Sequence, residues 1–199
     1  MTARGRPRAF DRDEVLDKAM RLFWERGYEA VALADITAVT GINSPSLYAA
    51  YGAKEELFRA AVRRYNEQGS PVQNALATQP TARLTIEVML RDSARTYTDP
   101  ANPRGCMVVL AATNCTQDNA AIQDFLADCR RTDRDQLRDR LARGVTEGEL
   151  PKGTDPTALA DFFHTVLYGL SIRARDGAST AELLAIVDTA LAAWPPETG

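Results

Sequence analysis

Three groups of residues have side chains and spacings that can do chemistry. The first is the run from Asn43 to Gly52, NSPSLYAAYG. Asn43 sits where a side-chain oxygen accepts from the free amides of a new helix. Pro45 falls in the first turn, where a missing N–H costs nothing. Ile42 and Leu47 point back to anchor that helix, while Ser44, Pro45, Tyr48 and Ala49 face outward. Ser46 either donates to a phosphate or serves the cap. The second group is the arm of residues 1–10, MTARGRPRAF, with Arg4, Arg6 and Arg8 and no preceding acid. Such an arm can lay arginine into a narrow minor groove; its plainer reading is a basic tail. The third group is spread through the C-terminal half: Met89, Tyr97, Met107, Phe125, Phe162, Phe163, His164 and Tyr168. Apolar walls with a few polar tips are the composition of a small-molecule pocket, and equally that of plain core.

Other chemistry lacks its parts. The chain has no Gly-rich phosphate loop, no cluster with metal-ligand spacing and a single histidine. Nucleophilic catalysis therefore has no visible constellation, and neither a cofactor nor a metal is implied. Cys106, Cys115 and Cys129 are odd in number and widely spaced, which suits a reducing compartment and buried, inert thiols. There is no run of about 18 apolar residues and no apolar signal core, so the expected location is the cytoplasm. The net charge is −3. Residues 1–67 hold eleven Lys/Arg against ten Asp/Glu, and residues 68–199 hold thirteen against seventeen. A mildly acidic chain still binds nucleic acid where the contact face is locally basic.

Helices must position these groups. Asp11 and Glu14 have capping-box spacing and open a first helix whose inward stripe is Val15, Leu16, Ala19, Leu22 and Phe23. Gly27 closes it. Leu33, Ile36 and Val39 give the next helix an apolar face, and Gly41 turns the chain into the Ser44–Tyr51 helix. Two helices joined by a Gly-containing turn make a helix-turn-helix, whose second helix can enter the major groove. A further helix runs from Lys54 to about Gln68. The boundaries expected are an arm over 1–10, a DNA-binding domain over 11–68 and a second helical domain over 69–199. In that second domain, Thr81–Thr98 reads as a helix with Leu84, Val88, Leu90 and Tyr97. Residues 105–112 read as a helix packed on all sides. Asp118–Thr146 is a long helix with Phe125 inward. Asp155-Pro156 opens a helix to Arg175, and the Ser179/Glu182 box opens one to about Ala193.

The order Gly41-Ile42-x-x-x-Ser46-Leu47-Tyr48-x-x-Tyr51-Gly52-x-Lys54-Glu55-Glu56-Leu57-Phe58, with Ala19-x-x-Leu22-Phe23-x-x-x-Gly27-Tyr28 upstream, resembles the DNA-binding domain of TetR/AcrR bacterial regulators. The resemblance implies an all-α protein. In it, Ser44, Pro45 and Ala49 face base edges, and Tyr48 and Lys54 hold phosphates. Pro45 and Ala49 are small and apolar, which favours contact with thymine methyls. Two positions depart from the pattern: Ala32 and Ala53 stand where the family has capping residues, each cap worth about 1 kcal/mol.

The last two helices are more apolar than a surface pair needs. By resemblance such a pair builds a four-helix homodimer interface, here through Phe163, Val166, Leu167, Leu170, Leu184, Val187, Leu191 and Trp194. A palindromic double-stranded operator also requires two reading helices, about 34–36 Å apart or a multiple of that. The reading expected is thus a ligand-released repressor, with an unknown small-molecule effector and no membrane partner. The alternatives are an all-helical interaction protein whose helix-turn-helix is only a packing unit, and a DNA-binding protein governed by redox or a protein partner.

Overall fold

The computed structural model describes residues 10–196, and the arm arginines Arg4 and Arg6 lie outside the described residues. Ten α-helices follow in order: α1 Arg12–Arg26, α2 Leu33–Thr40, α3 Ser44–Tyr51, α4 Lys54–Glu67, α5 Pro71–Thr78, α6 Ala82–Tyr97, α7 Met107–Leu110, α8 Ala120–Glu147, α9 Pro156–Arg175 and α10 Thr180–Leu191. One 3₁₀ turn, Gln117–Asn119, precedes α8, and no strand occurs among the described residues.

Most helix starts follow from side-chain chemistry. Asp11 accepts from the Asp13 and Glu14 amides at 2.9 and 3.3 Å. The return half of the expected box is missing, because Glu14 pairs with Lys18 at 2.7 Å. Asn43 accepts from the Ser46 amide at 2.9 Å. Asp155 caps α9, with Pro156 in its first turn. Ser179 and Glu182 form both halves of their box. Ala32 offers no acceptor, but the Asp35 carboxylate takes the Ala32 amide proton at 2.8 Å, so half of the lost cap is restored. Ala53 has no such substitute.

Two hydrophobic cores form. One joins α5, α6, α8, α9 and α10 around Ile86, Met89, Leu90, Leu137, Leu141, Phe163 and Leu170. The other packs α1–α4 around Phe23, Ile36, Leu47 and Phe58, and also takes in Met107, Val108, Ala111, Ile122 and Leu126. The N-terminal core thus reaches past residue 68 and incorporates α7 and the start of α8.

Three sequence expectations change here. The 105–112 run forms a single helical turn, not a continuous helix. Gly105 at φ +81 fits so closely that an added Cβ would lie 2.5 Å from Leu110 and 2.8 Å from the Ser171 carbonyl. Downstream, the Ala111 carbonyl accepts from the Tyr28 amide at 2.7 Å, which holds the chain on α1. The run is apolar because it lies between two cores, not because a helix is enclosed. Val39 and Leu84 face outward, 42% and 40% exposed, since short helices bury only one narrow stripe.

Candidate nucleic-acid interface and internal cavity

The α2–α3 turn presents the reading face. Gly41 adopts φ +74 in the left-handed region and reverses the chain after α2. Leu47 is fully buried under α3, and Tyr48 on the opposite side is 47% exposed. Ser44, Pro45 and Ala49 are exposed beside it, and Ser46 is half-buried in the first turn. The helix carries no charged side chain, so its base or phosphate contacts use uncharged donors. Its C-terminal end is held by a residue sequence reasoning passed over. Arg12 donates to the Ala50 carbonyl and its guanidinium sits 5.1 Å from the centre of the Tyr51 ring. The Tyr51 hydroxyl donates back to the Arg12 carbonyl. An Arg at the start of one helix shows no periodicity that would reveal this pairing.

Lys54 does not simply extend outward. Its ammonium lies 4.2 Å from the centre of the Tyr28 ring, a cation–π contact. Burial lowers its pKa, and nearby Glu29 opposes that shift. Glu29 itself accepts from the Thr116 amide at 2.7 Å and is thereby held below the usual carboxylate range.

A band of contacts ties α1 and α4 to residues 102–125. Trp24 Nε1 donates to the Gly105 carbonyl at 3.0 Å, and Arg21 donates to Asn102 Oδ1 at 3.2 Å. Arg59 lies 4.5 Å from the centre of the Phe125 ring. These pairs are distant in sequence and left no local signal.

Behind the band lies an internal cavity of about 30 Å³, walled by Tyr65, Tyr97, Cys106, Val108, Val109, His164, Leu167 and Tyr168. That space holds on the order of two waters. Tyr97 and His164 are each 3% exposed. The Tyr65 hydroxyl donates to Cys106 Sγ at 3.6 Å. Burial pushes the Cys106 thiol up in pKa, with the Tyr65 hydrogen bond pulling the other way. Burial depresses His164 to about 4, aided by Arg134, so the imidazole is neutral at neutral pH. Arg130, His164 and Tyr168 also line a surface groove of about 530 Å³, and they form the partition between groove and cavity.

Of the eight pocket candidates, the structure brings together Tyr97, His164 and Tyr168. Met89 and Phe163 belong to the C-terminal core and Met107 to the N-terminal one. Phe125 is engaged by Arg59, and Phe162 points to solvent at 42% exposure. The interface candidates also shift. Phe163, Leu167, Leu170, Val187 and Trp194 are buried in their own chain, with Val166, Leu184 and Leu191 packed beside them. The apolar residues left uncovered on α9 and α10 are Phe162, Ile172 (50% exposed) and Ile186 (38%). Helices apolar on several sides do not reveal which face a chain keeps for itself.

The fold and this site define an all-helical, helix-turn-helix DNA-binding protein with a second helical domain around a small cavity. The comparisons are specific. The model for bacterial regulatory proteins of the tetR family matches residues 15–61, and that for the tetracyclin repressor-like C-terminal domain matches residues 81–189. The chain belongs to the tetR family of bacterial regulatory proteins. It is 36% identical over 195 residues to the HTH-type transcriptional repressor ComR of Escherichia coli (strain K12), covering 97% of this chain and 93% of ComR. It is 32% identical to the HTH-type transcriptional repressor BdcR of the same organism, covering 91% of this chain and 87% of BdcR. Among solved structures it is similar to a cysteine-substituted variant of the TetR family transcriptional regulator CifR complexed with 26-bp double-strand operator DNA. That match has 44% identity and a TM-score of 0.92, covering 96% of this chain and all of that one. No helix of the described residues is long and apolar enough to cross a membrane.

Proposed function

We propose that this regulator is a cytoplasmic homodimer that represses transcription from a palindromic operator and is released by a small molecule in the C-terminal domain. One observation carries the ligand-release part. Residues 105–111 wall the cavity through Cys106, Val108 and Val109, and the same segment is hydrogen-bonded to Trp24 and Tyr28 beside the helix-turn-helix. Anything that widens the cavity must move a segment that α1 grips. A ligand favouring the widened state shifts the dimer away from the DNA-binding spacing by its differential affinity for the two states, and no further.

In this reading Ser44, Pro45 and Ala49 meet base edges, Tyr48 and Ser46 meet phosphates, and Lys54 adds a phosphate contact by leaving Tyr28. Arg4 and Arg6 reach the adjoining minor groove. The dimer forms through Phe162, Ile172 and Ile186, the apolar side chains that the single chain leaves uncovered, with Val166 and Leu184 at the margin.

The test is fluorescence anisotropy of the protein on DNA upstream of its own gene, against scrambled DNA at two salt concentrations. Tight, sequence-dependent binding weakened but not abolished by salt is expected. Equal, weak binding to both DNAs across the whole upstream region would remove the repressor reading.

A further inference from the structure

A groove of about 400 Å³ runs between α5 and α8 and shares no lining residue with the internal cavity. Leu76 and Ala77 of α5 give it an apolar wall, and Arg140 of α8 sets its chemistry. Arg140 is only 5% exposed. Its Nη2 donates to the Pro80 carbonyl at 3.0 Å and to the two Glu149 oxygens at 3.0 and 3.2 Å. Glu149 in turn accepts from the Ala82 amide at the start of α6. That pair pins the turn after α8 to the first turn of α6, and it uses only the Nη2 side of the guanidinium. Nε and Nη1 are buried and have no acceptor among the described residues. One N–H on Nε and two on Nη1 therefore go unmet. A buried donor without an acceptor is costly, more so on a charged group, and the fold gives no reason for these three.

The surroundings select the missing acceptor. Arg143 is exposed, and its one ionic contact among the described residues is Glu147 at 4.0 Å, so a second guanidinium is free to turn toward a guest. Asp139 is engaged by Arg138 at 2.8 Å. Gln136 accepts from Gln73 at 2.7 Å through Oε1, and its own NH₂ makes no hydrogen bond among the described residues. The free groups that α8 offers are thus donors, and the guest is an anion. Glu149, already seated on Nη2, repels a second full negative charge, which favours a monoanion. The Leu76–Ala77 wall suits a short hydrocarbon.

We propose that the α5–α8 groove binds a small organic monocarboxylate. Its carboxylate supplies acceptors to the unmet N–H groups of Arg140, Arg143 closes on it from the exposed side, and its hydrocarbon body lies on Leu76 and Ala77. The unmet donors have almost no surface of their own, so part of the lining moves as the guest settles. Gln73 and Gln136 are exposed and can turn away at the cost of their mutual hydrogen bond. The site is independent of the ligand-released repressor reading, which concerns the cavity.

Full-length protein carrying isotope-labelled arginine is titrated with sodium butyrate at constant ionic strength, and the arginine Nε–H signals are followed by NMR. Butyramide is the uncharged isostere, and sodium phosphate is the anion without a hydrocarbon body. The expected result is a saturable shift of the Arg140 signal, identified by its loss in Arg140→Lys, with a dissociation constant on the order of 1 mM. Butyramide should leave that signal in place. Arg140→Lys keeps a cation for Glu149 but lacks the unmet donors, so butyrate binding, read by saturation transfer to its methyl group, should weaken by roughly tenfold. Arg143→Gln changes an exposed residue, so it should weaken butyrate several-fold with urea unfolding unchanged, and it decides the matter if Arg140→Lys does not fold. No shift of the Arg140 signal overturns the site. A shift that grows linearly and spreads over many arginines means an adventitious ion only and overturns it too. Butyramide binding as well as butyrate removes the carboxylate from the recognition, and phosphate binding as well as butyrate removes the monocarboxylate class.

Discussion

Trp24 Nε1 and the Gly105 carbonyl meet at 3.0 Å in a buried position, 81 residues apart in the chain. The bond fastens the last turn of α1 to the turn that opens the cavity wall. Trp24→Phe deletes the donor, leaving a buried carbonyl without its partner at a cost of about 1–3 kcal/mol, and the smaller ring adds a cavity cost to that. The melting temperature should fall, and amide exchange should rise in residues 105–112 before it rises in α6 or α9. Exchange rising uniformly along the chain would mean the bond supports the fold generally and couples nothing.

Tyr48 lies on the exposed side of α3 and has no buried contact to lose. Tyr48→Phe removes only the hydroxyl. If that group donates to a phosphate, its loss costs about 1.5–3 kcal/mol, a fall in operator affinity of roughly ten- to a hundredfold. Urea unfolding should be unchanged. Retained affinity would place the reading contacts elsewhere on α3.

The reading helix was legible because its signals are local. Asn43, Pro45, Leu47 and Gly52 fall within ten positions, and each acts on the backbone next to it. The start of α9 at Asp155-Pro156 was legible for the same reason. The cavity was not. Phe162 and Phe163 are neighbours of one type, yet one faces solvent and the other fills the core, a difference that only the packing of α9 on α6 and α10 decides. Cys106 was read as an inert thiol among apolar residues, and Tyr65 was not singled out at all. Their meeting depends on the chain crossing from α4 to the turn before α7. The Arg12 clasp on α3 escaped for a similar reason, since it joins residues 38 apart.

Ile172 is half exposed on α9, about 80° round the helix from Phe162 ten residues earlier. A charge there costs a single chain little, because the side chain is already in water. In a two-fold interface the same charge meets its own copy across the axis, and two like charges are desolvated together. Ile172→Glu should therefore give a folded monomer by sedimentation, with helix content retained, and weak operator binding that rises steeply with protein concentration. A dimer of unchanged strength would move the interface off this face. The buried neighbour provides the contrast: Leu170→Glu should unfold the chain, because that side chain is 1% exposed within one protomer.

His164 gives the fold a specific pH dependence. Its pKa is about 4 in the folded chain against 6.5 for the free side chain, mainly because burial penalises the imidazolium, with Arg134 and Arg130 adding repulsion and Asp161 opposing them. The unfolded chain therefore binds more protons than the folded one between those two values, so stability falls as pH drops through that window. Nothing is lost above pH 6.5, and the full penalty, on the order of 3 kcal/mol, is reached below pH 4. Other carboxylates titrate in the same range, so the informative quantity is a difference. The unfolding free energy of His164→Gln, measured by urea at pH 7 and pH 5, should fall by less than that of the parent protein. Equal falls would mean the imidazole becomes charged without leaving the fold, through the partition it shares with the surface groove. In that case the cavity would open to water near pH 5, and its guests would enter by the His164–Tyr168 side.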